Sequence, residues 1–518
     1  MIERGLSFLL MLCAAVFAFQ RAQEPEYIGI DFIQFHLTGR HVINGGDSRV
    51  YSDDMRAAIL NSAWKRAQTE NSSSKFYQAV SFRHERTWET YSSPFLYSVF
   101  GMMAGGEPED SDTAGNTYLS TPSSDVRPHS PPVSGEKGRG DAYEAAINEY
   151  WIVCLGSTMI GFMAFGWVLR IPCWSMLFGA VLIVWFDPLR CDMNVANMNQ
   201  IQFGMVGVFT AILGGTVDRS LRRPEWLSAT EMKTVESRRR SDGCTVRHFI
   251  AGILLGICLA FKPSLLWCGV MWFAGMVVDA MRKKHHAERD EYGLRRLLVA
   301  AMGGITGGML AIAFSSIWFP VHSWIARVQA VRSMPDDYIL TESGNYSLTY
   351  FARRNDVPRW LTSLAGPMIA LAVVATAIIQ SRYLKTISHF ASRVPESRLA
   401  DTSDYNVTNS ASWLAIGCQI QILTSNLVWY HYLVLCIPAF LVLTRNAVLA
   451  TSRLEKCAVG FTIVWCLMCL GFSPVSALVH SSIDERVFRC GFANLMMLLM
   501  LLIRRQRVSQ QAGLWNGR

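Results

Sequence analysis

The residues best equipped for chemistry in this chain are a carboxylate, a lysine, two arginines and a histidine, all beside or within apolar runs. Asp31 opens DFIQFHLTGRHVI, and Asn199 and Gln200 stand in NMNQIQFG. Lys262 interrupts the 34-residue apolar stretch HFIAGILLGICLAFKPSLLWCGVMWFAGMVVDAM. Asn345, Ser347, Arg353 and Arg354 lie in GNYSLTYFARR, and Trp429 and His431 in SNLVWYHY. Lysine and arginine donors stabilise the charge that develops on a departing phosphate, most strongly where water is scarce. A carboxylate within reach takes the proton from an attacking hydroxyl. No GxxxxGK[ST] loop is present and no GxGxxG opens a helix after a strand, so nothing cradles a nucleotide. The phosphate must then arrive on a substrate that lives in the membrane, a lipid phosphate.

Each residue also has a plainer use. Asp31 could cap the amphipathic helix that FIQFHLTGRHVI predicts, and Lys262 could snorkel to the bilayer interface. Arg353 and Arg354 could meet lipid headgroups, and His431 beside Trp429 and Tyr430 could belong to an aromatic belt. The case for chemistry rests on their falling on one side of the membrane.

Membrane helices must do that placing. Of 518 residues, 51% are hydrophobic and 17% charged, against about 25% charged in a soluble globular protein, and the mean hydropathy is +0.21. A crossing helix takes about 20 apolar residues, fewer where the bilayer is thinned. Twelve segments qualify: 6–20, 150–169, 172–187, 201–217, 248–261, 263–281, 297–319, 360–380, 411–428, 431–446, 457–473 and 486–503. No A-x-A site follows the first, which reads as an uncleaved span. With the N-terminus inside, twelve crossings turn four basic clusters inward: Arg219 to Arg247, Arg282 to Arg296, Arg382 to Arg398, and Arg504, Arg505 and Arg507. The short outer loops 188–200 and 474–485 hold only Arg190. The net charge of +8 is thus a positive-inside signature, and no nucleic-acid partner is expected.

The predicted fold is all-α, a polytopic bundle of about twelve transmembrane helices occupying 1–503, with the lipid bilayer as its partner. Its outer loop one spans 21–149, with 104–141 rich in Gly, Ser, Pro, Asp and Glu and expected to be disordered. A second long outer loop spans 320–359, and 504–518 forms a cytoplasmic basic tail. The chain must reverse at Lys262-Pro263 on the outer surface, because Pro263 disfavours helical geometry at Lys262. Eight of the thirteen cysteines lie in apolar runs, and the one CxxC among them, Cys466 and Cys469, has no second pair at metal spacing, so they read as core residues rather than metal ligands. Asp31, Asp47, Asp53 and Asp54 share the outer side but match no cation loop, so no metal or cofactor is assigned.

Six segments in order resemble the bacterial polyprenyl-phosphate-dependent mannosyltransferases of glycosyltransferase family 87, in the membrane-embedded GT-C class. They are DFIQFHLTGRHVINGGDSRVY at 31–51, YSSPFLYSVF at 91–100, NMNQIQFG at 197–204, AGILLGICLAFKPSLL at 251–266, GNYSLTYFARR at 344–354 and SNLVWYHYLVLCIPAFLVL at 425–443. The resemblance implies a GT-C helical bundle in a cell inner membrane with its active site facing the periplasm. It also implies an inverting hexosyltransferase that moves a sugar, mannose above all, from a polyprenyl-phosphate donor to a glycolipid or glycan acceptor. Asp31 matches the family's catalytic base. Lys262, Arg353, Arg354 and His431 match positions facing the donor phosphate, with Asn199, Gln200, Asn345, Ser347 and Trp429 as further substrate-site candidates. The rival readings are a transporter or flippase of polyprenyl-linked glycans, which would carry polar residues on both faces or at mid-membrane, and a membrane scaffold.

Overall fold

The computed structural model describes residues 2–85, 91–103, 139–171, 173–214, 229–283, 287–333, 345–391, 402–425, 427–450, 452–472 and 483–515. Among them regular structure is helical, apart from one isolated pairing of Phe186 with Phe472. Seven segments are long and apolar enough to cross a bilayer: Gly5–Ala22, Ala142–Val168, Pro263–Met281, Leu294–Ser315, Arg359–Gln380, Tyr430–Leu449 and Glu485–Ile503. The chain is therefore an α-helical, multi-pass membrane protein.

The other five expected spans are helical but shorter or more polar. Cys173–Trp185 has 13 residues and Asn199–Gly214 has 16, which at 1.5 Å per residue reach about 20 to 24 Å of a hydrocarbon core near 30 Å. Thr245–Phe261 is a shorter apolar helix continuous with the basic segment before it. Thr402–Thr424 opens on polar residues, and Arg453–Leu470 carries Arg453, Glu455 and Lys456 in its first turn.

The long segments between spans carry helices of their own. Residues 21–149 hold the expected helix at Phe32–Ile43 and others at Asp53–Ala67, Lys75–His84 and Pro94–Gly101, and 320–359 holds His322–Arg332 and Leu348–Arg354. Residues 104–138 of the expected disordered stretch lie outside the described residues, while 139–141 begin the helix Arg139–Val168. The basic tail continues the helix Ile483–Trp515.

Burial sorts the spans. The window in Tyr430–Leu449 is 61% buried and that in Ala142–Val168 56%, against 22% in Leu294–Ser315 and 28% in Arg359–Gln380, so the first two form the centre and the last two face outward. The outward helices present Ile305, Met309, Leu371 and Ile379, the side chains that lipid tails would cover. One peripheral contact is unusually close. A Cβ at Gly252 or Gly256 would overlap the backbone at Ala300 or Gly304, and one at Gly303 or Gly307 the backbone at Phe249 or Ile253. These small residues, four apart on each helix, let the backbones of Ala229–Phe261 and Ala287–Ser315 touch, which substitutes for the hydrophobic drive that lipid removes.

The first of these helices ends at Phe261, where the expected reversal occurs. Lys262 is extended, at φ −154° and ψ 127°, and Pro263 opens a short 3-10 turn, Pro263–Leu265, before the helix Leu266–Lys283. Leu255 packs against Gly269, each seven residues from Lys262, as an antiparallel return requires.

Candidate functional site

Asp31 is held by the chain on both sides of it. Gly29, at φ +70°, donates its N–H to the carbonyl of Asn194 at 2.9 Å, and the N–H of Asp31 reaches the carbonyl of Val195 at 2.8 Å. Tyr143 hydroxyl donates to the carbonyl of Ile28 at 2.9 Å. The segment before the helix Phe32–Ile43 is thereby tied to the C-terminal end of the helix Asp187–Val195.

Asp31 occupies the cap position of the helix Phe32–Ile43, yet its side chain makes no capping bond. Its own backbone is helical, at φ −86° and ψ −39°, whereas a capping side chain projects from extended backbone. The carboxylate goes elsewhere. Oδ1 takes an ion pair from the Arg83 guanidinium at 2.6 Å, and Oδ2 accepts from Asn197 Nδ2 at 2.6 Å. Both partners of the ion pair are largely shielded, Arg83 at 7% side-chain exposure and Asp31 at 16%. Arg83 Nε also donates to the carbonyl of Ile30 at 2.9 Å, which fixes the guanidinium at the backbone beside its partner.

Asn197 joins this carboxylate to the expected lysine. Its Oδ1 accepts from Lys262 Nζ at 2.9 Å and from the N–H of Met198 at 2.8 Å. An amide with an ammonium on one side and a carboxylate on the other has a single sensible orientation, oxygen toward Lys262 and nitrogen toward Asp31. The left-handed residue Ala196, at φ 54°, turns the chain so that Asn197 can reach both. Its backbone is tied down as well, its N–H to the carbonyl of Asp192 at 3.0 Å and its carbonyl to the Tyr150 hydroxyl.

Lys262 is placed from three directions. Its Nζ lies 4.2 Å from the centroid of the Tyr432 ring, a cation–π contact. Ser93 Oγ donates to the carbonyl of Phe261 at 3.1 Å, and Gln202 and Ser264 bond across the far side of the turn at 2.7 Å. Among the described residues Lys262 has no carboxylate partner. His431 stacks on Tyr432 with ring centroids 5.0 Å apart. It is buried, its Nε2 has no hydrogen-bond partner among the described residues, and the charges of Asp31, Lys262 and Arg83 act on it. Asp31, Lys262 and His431 thus come together from sequence positions hundreds of residues apart.

The remaining expected residues take other places. Asn199 Nδ2 donates to Asp192 Oδ1 at 2.7 Å, and Gln200 donates its N–H to Asp192 Oδ2 at 3.1 Å and its Nε2 to the carbonyl of Leu189 at 3.1 Å. Both therefore stand behind the cluster around Asp192, a wholly buried carboxyl that burial pushes up to about 8. Asn345 Oδ1 accepts from the N–H groups of Ser347 and Val428 at 3.1 and 2.9 Å, and Ser347 caps the helix Leu348–Arg354 through the N–H of Tyr350. These two fasten the second outer loop to the strand of chain leading into Trp429, whose carbonyl accepts from Tyr432 in the turn Tyr430–Cys436. Arg353 and Arg354 end a helix that packs on Arg359–Ala391, Thr402–Thr424 and Ile483–Trp515 rather than on the Asp31 segment.

Arg83, Asn197 and Asp192 are site residues that sequence reasoning missed. Asn197 and Asp192 lay within reach, since they sit beside Asn199 in CDMNVANMNQ; nothing local marks Arg83 in SFRHER. Of the other outer aspartates, Asp47 pairs with Arg49 at 2.6 Å and Asp53 with Arg56. Among the described residues no three His, Cys, Asp or Glu side chains converge as metal ligands would.

The arrangement offers a fixed carboxylate, an ammonium one amide away and an imidazole nitrogen with spare hydrogen-bonding capacity. Comparison of the chain with protein-family models, with curated proteins and with solved structures finds no match.

Proposed function

We propose that the chain is an inverting glycosyltransferase that moves a hexose, mannose in the first instance, from a polyprenyl phosphate to an acceptor hydroxyl on the outer face of a bacterial inner membrane. The observation that carries this reading is the Asn197 amide, which receives Lys262 on its oxygen and gives its nitrogen to Asp31. A proton acceptor and a phosphate-binding cation are thereby held a few ångströms apart in one orientation.

In the proposed reaction Asp31 takes the proton of the acceptor hydroxyl as that oxygen bonds to the anomeric carbon. The bond from that carbon to the phosphate oxygen breaks, and its electron pair leaves on the phosphate beside Lys262. Arg83 and Asn197 each occupy one lone-pair direction of a carboxylate that offers about four, so Asp31 retains room for the hydroxyl. His431 Nε2 is the group left to bond a substrate oxygen.

The polarity of the helices supports twelve crossings. Helices ending at Ala22 and Phe261 and helices beginning at Asn199, Leu266 and Ile437 all meet at this cluster, as successive antiparallel crossings require. The described basic residues at 233–247, 282–283, 289–296, 382–385 and 504–507 belong to the opposite ends of their helices. The resemblance to the GT-C mannosyltransferases supports Asp31 as the base.

The test incubates purified protein with radiolabelled polyprenyl-phosphate-mannose and a panel of glycolipid acceptors. Label should move from donor to acceptor in the wild type and stay on the donor in Asp31→Asn. Label that stays on the donor with every acceptor while donor is carried across proteoliposomes would replace this reading with a transporter.

A further inference from the structure

Behind Asp31 lies a second carboxyl group that the proposed reaction does not use. Asp192 is wholly buried, and its two hydrogen-bond donors, Asn199 Nδ2 and the N–H of Gln200, are both neutral. No cation pairs with it among the described residues. The same Asn199 Nδ2 lies 3.3 Å from the Asn197 oxygen that holds Lys262, so two amides separate the buried carboxyl from Asp31. Burying a carboxylate without a cation is costly enough that the group gives up its charge instead.

Four charge-bearing groups are joined in this cluster through Asn197 and Asn199: Asp31, Asp192, Arg83 and Lys262. Arg83 is neutralised by Asp31. If Asp192 were ionised it would cancel Lys262, and the site would offer an incoming anion no net charge. We infer that Asp192 works as a neutral acid that leaves one net positive charge at Lys262, matching the site to a singly charged phosphodiester, and that ionising Asp192 weakens binding of that anion. The inference rests on Lys262 being the phosphate-binding group of the proposed function.

The pH at which this happens follows from the surroundings of the carboxyl. Burial holds Asp192 protonated up to about 8; the hydrogen bonds from Asn199 and Gln200 and the charge of Lys262 act in the opposite direction, and Asp31 reinforces burial. The other titratable groups facing it are Tyr150 and Cys154 on the helix Arg139–Val168 and Cys191 on its own helix, whose thiol burial pushes up to about 12. His431, on the packed turn Tyr430–Cys436, faces Asp31, Arg83 and Lys262. Removing Asp192 alone therefore assigns any transition near this pH.

The test measures calorimetric binding of octyl mannosyl phosphate, a phosphodiester that keeps its single charge throughout, to the purified full chain across neutral and alkaline pH. Wild-type affinity should be level in the neutral range and fall above pH 8 by up to about tenfold per unit, the limit for one linked proton. Asp192→Asn should bind the probe and stay level across the range. A level wild-type profile, or the same fall in Asp192→Asn, overturns the inference. Infrared spectra of the ligand-free protein keep its failure separate from that of the proposed function. A protonated-carboxyl band lost near pH 8 in wild type and missing from Asp192→Asn, with no probe bound at any pH, would discard Lys262 as a phosphate site and leave the buried acid standing. The lack of such a band would discard the neutral acid itself.

Discussion

Replacing Asp31 by Asn separates three roles that one side chain could play. Asn caps a helix about as well as Asp, so a capping residue would tolerate the change; in the structure, however, Asp31 makes no capping bond and instead neutralises Arg83. The substitution keeps a side chain that can still bond Asn197 but strands a guanidinium that is only 7% exposed. Stranding one member of a buried pair costs about 3 to 5 kcal/mol, so Asp31→Asn should lower thermal stability measurably in detergent. Adding Arg83→Met removes the stranded charge and should recover most of that loss. Turnover behaves differently: without the proton acceptor it should fall about 10²- to 10⁴-fold, and the second substitution should not restore it. Donor binding and transfer are followed with radiolabelled polyprenyl-phosphate-mannose, and stability by the thermal shift of each variant. If Asp31→Asn transfers sugar at near wild-type rate, Asp31 is a structural counter-ion to Arg83 and not the base. If the double variant recovers turnover along with stability, the loss in the single variant came from misfolding, and the catalytic assignment fails equally.

Lys262→Met should raise the donor KM far more than it lowers stability, because Lys262 contacts a neutral amide and an aromatic ring rather than a carboxylate; Lys262→Arg should recover only part, since a guanidinium is planar and longer, and unchanged donor kinetics in the Met variant would return Lys262 to snorkelling. Asn197→Leu should impair both donor binding and turnover, and a purely structural Asn197 would show as lost stability with the kinetics of the surviving fraction intact. Gly256→Leu must force apart helices whose backbones touch there and should cost at least about 1 to 3 kcal/mol, the scale of overpacking, read as a drop in folded yield. Asp192 holds a proton in the folded chain up to about 8 that the unfolded chain loses near the ordinary carboxyl value of 3.8. Its contribution is therefore full below that lower value and is lost as pH climbs through about 8, so the thermal midpoint should fall less steeply toward alkaline pH in Asp192→Asn than in wild type.

How much of this was readable in advance depended on the range of the interaction. The reversal at Lys262-Pro263 was legible because a proline acts on its immediate neighbour, and the extended backbone of Lys262 is what that local rule requires. Apolar runs marked the helices for a similar reason, and a helix overlaps each of the twelve marked segments. The polar residues divided differently. Ser347, a substrate-site candidate, caps a helix, while Asp31, expected as a base with capping as its plainer use, makes no capping bond. In both cases the side chain's type and the helix beside it agreed with either role, and the backbone angle at the position decided. Arg83 carried no local signal at all, because its importance comes from Asp31, 52 residues away in the chain.

The convergence at one end of the bundle has a physical cause that needs no shared motif. Within the hydrocarbon a backbone must satisfy its own hydrogen bonds, so irregular chain is confined to the ends of helices or to protein-lined cavities. Every reversal on one side of the membrane therefore delivers its irregular residues to the same layer, where unpaired carbonyls and N–H groups need polar partners. The residues around Asp31 show the result: the N–H groups of Gly29 and Asp31 bond the carbonyls of Asn194 and Val195, and Ser93 bonds that of Phe261. Much of the polar clustering is the consequence of ending helices in one plane. What that explanation leaves over, among the described residues, is Lys262 without a carboxylate and His431 Nε2 without a partner, since neither satisfies a helix end. Those two groups, rather than the cluster as a whole, are where the proposed lipid phosphate would supply the missing charge and hydrogen bonds.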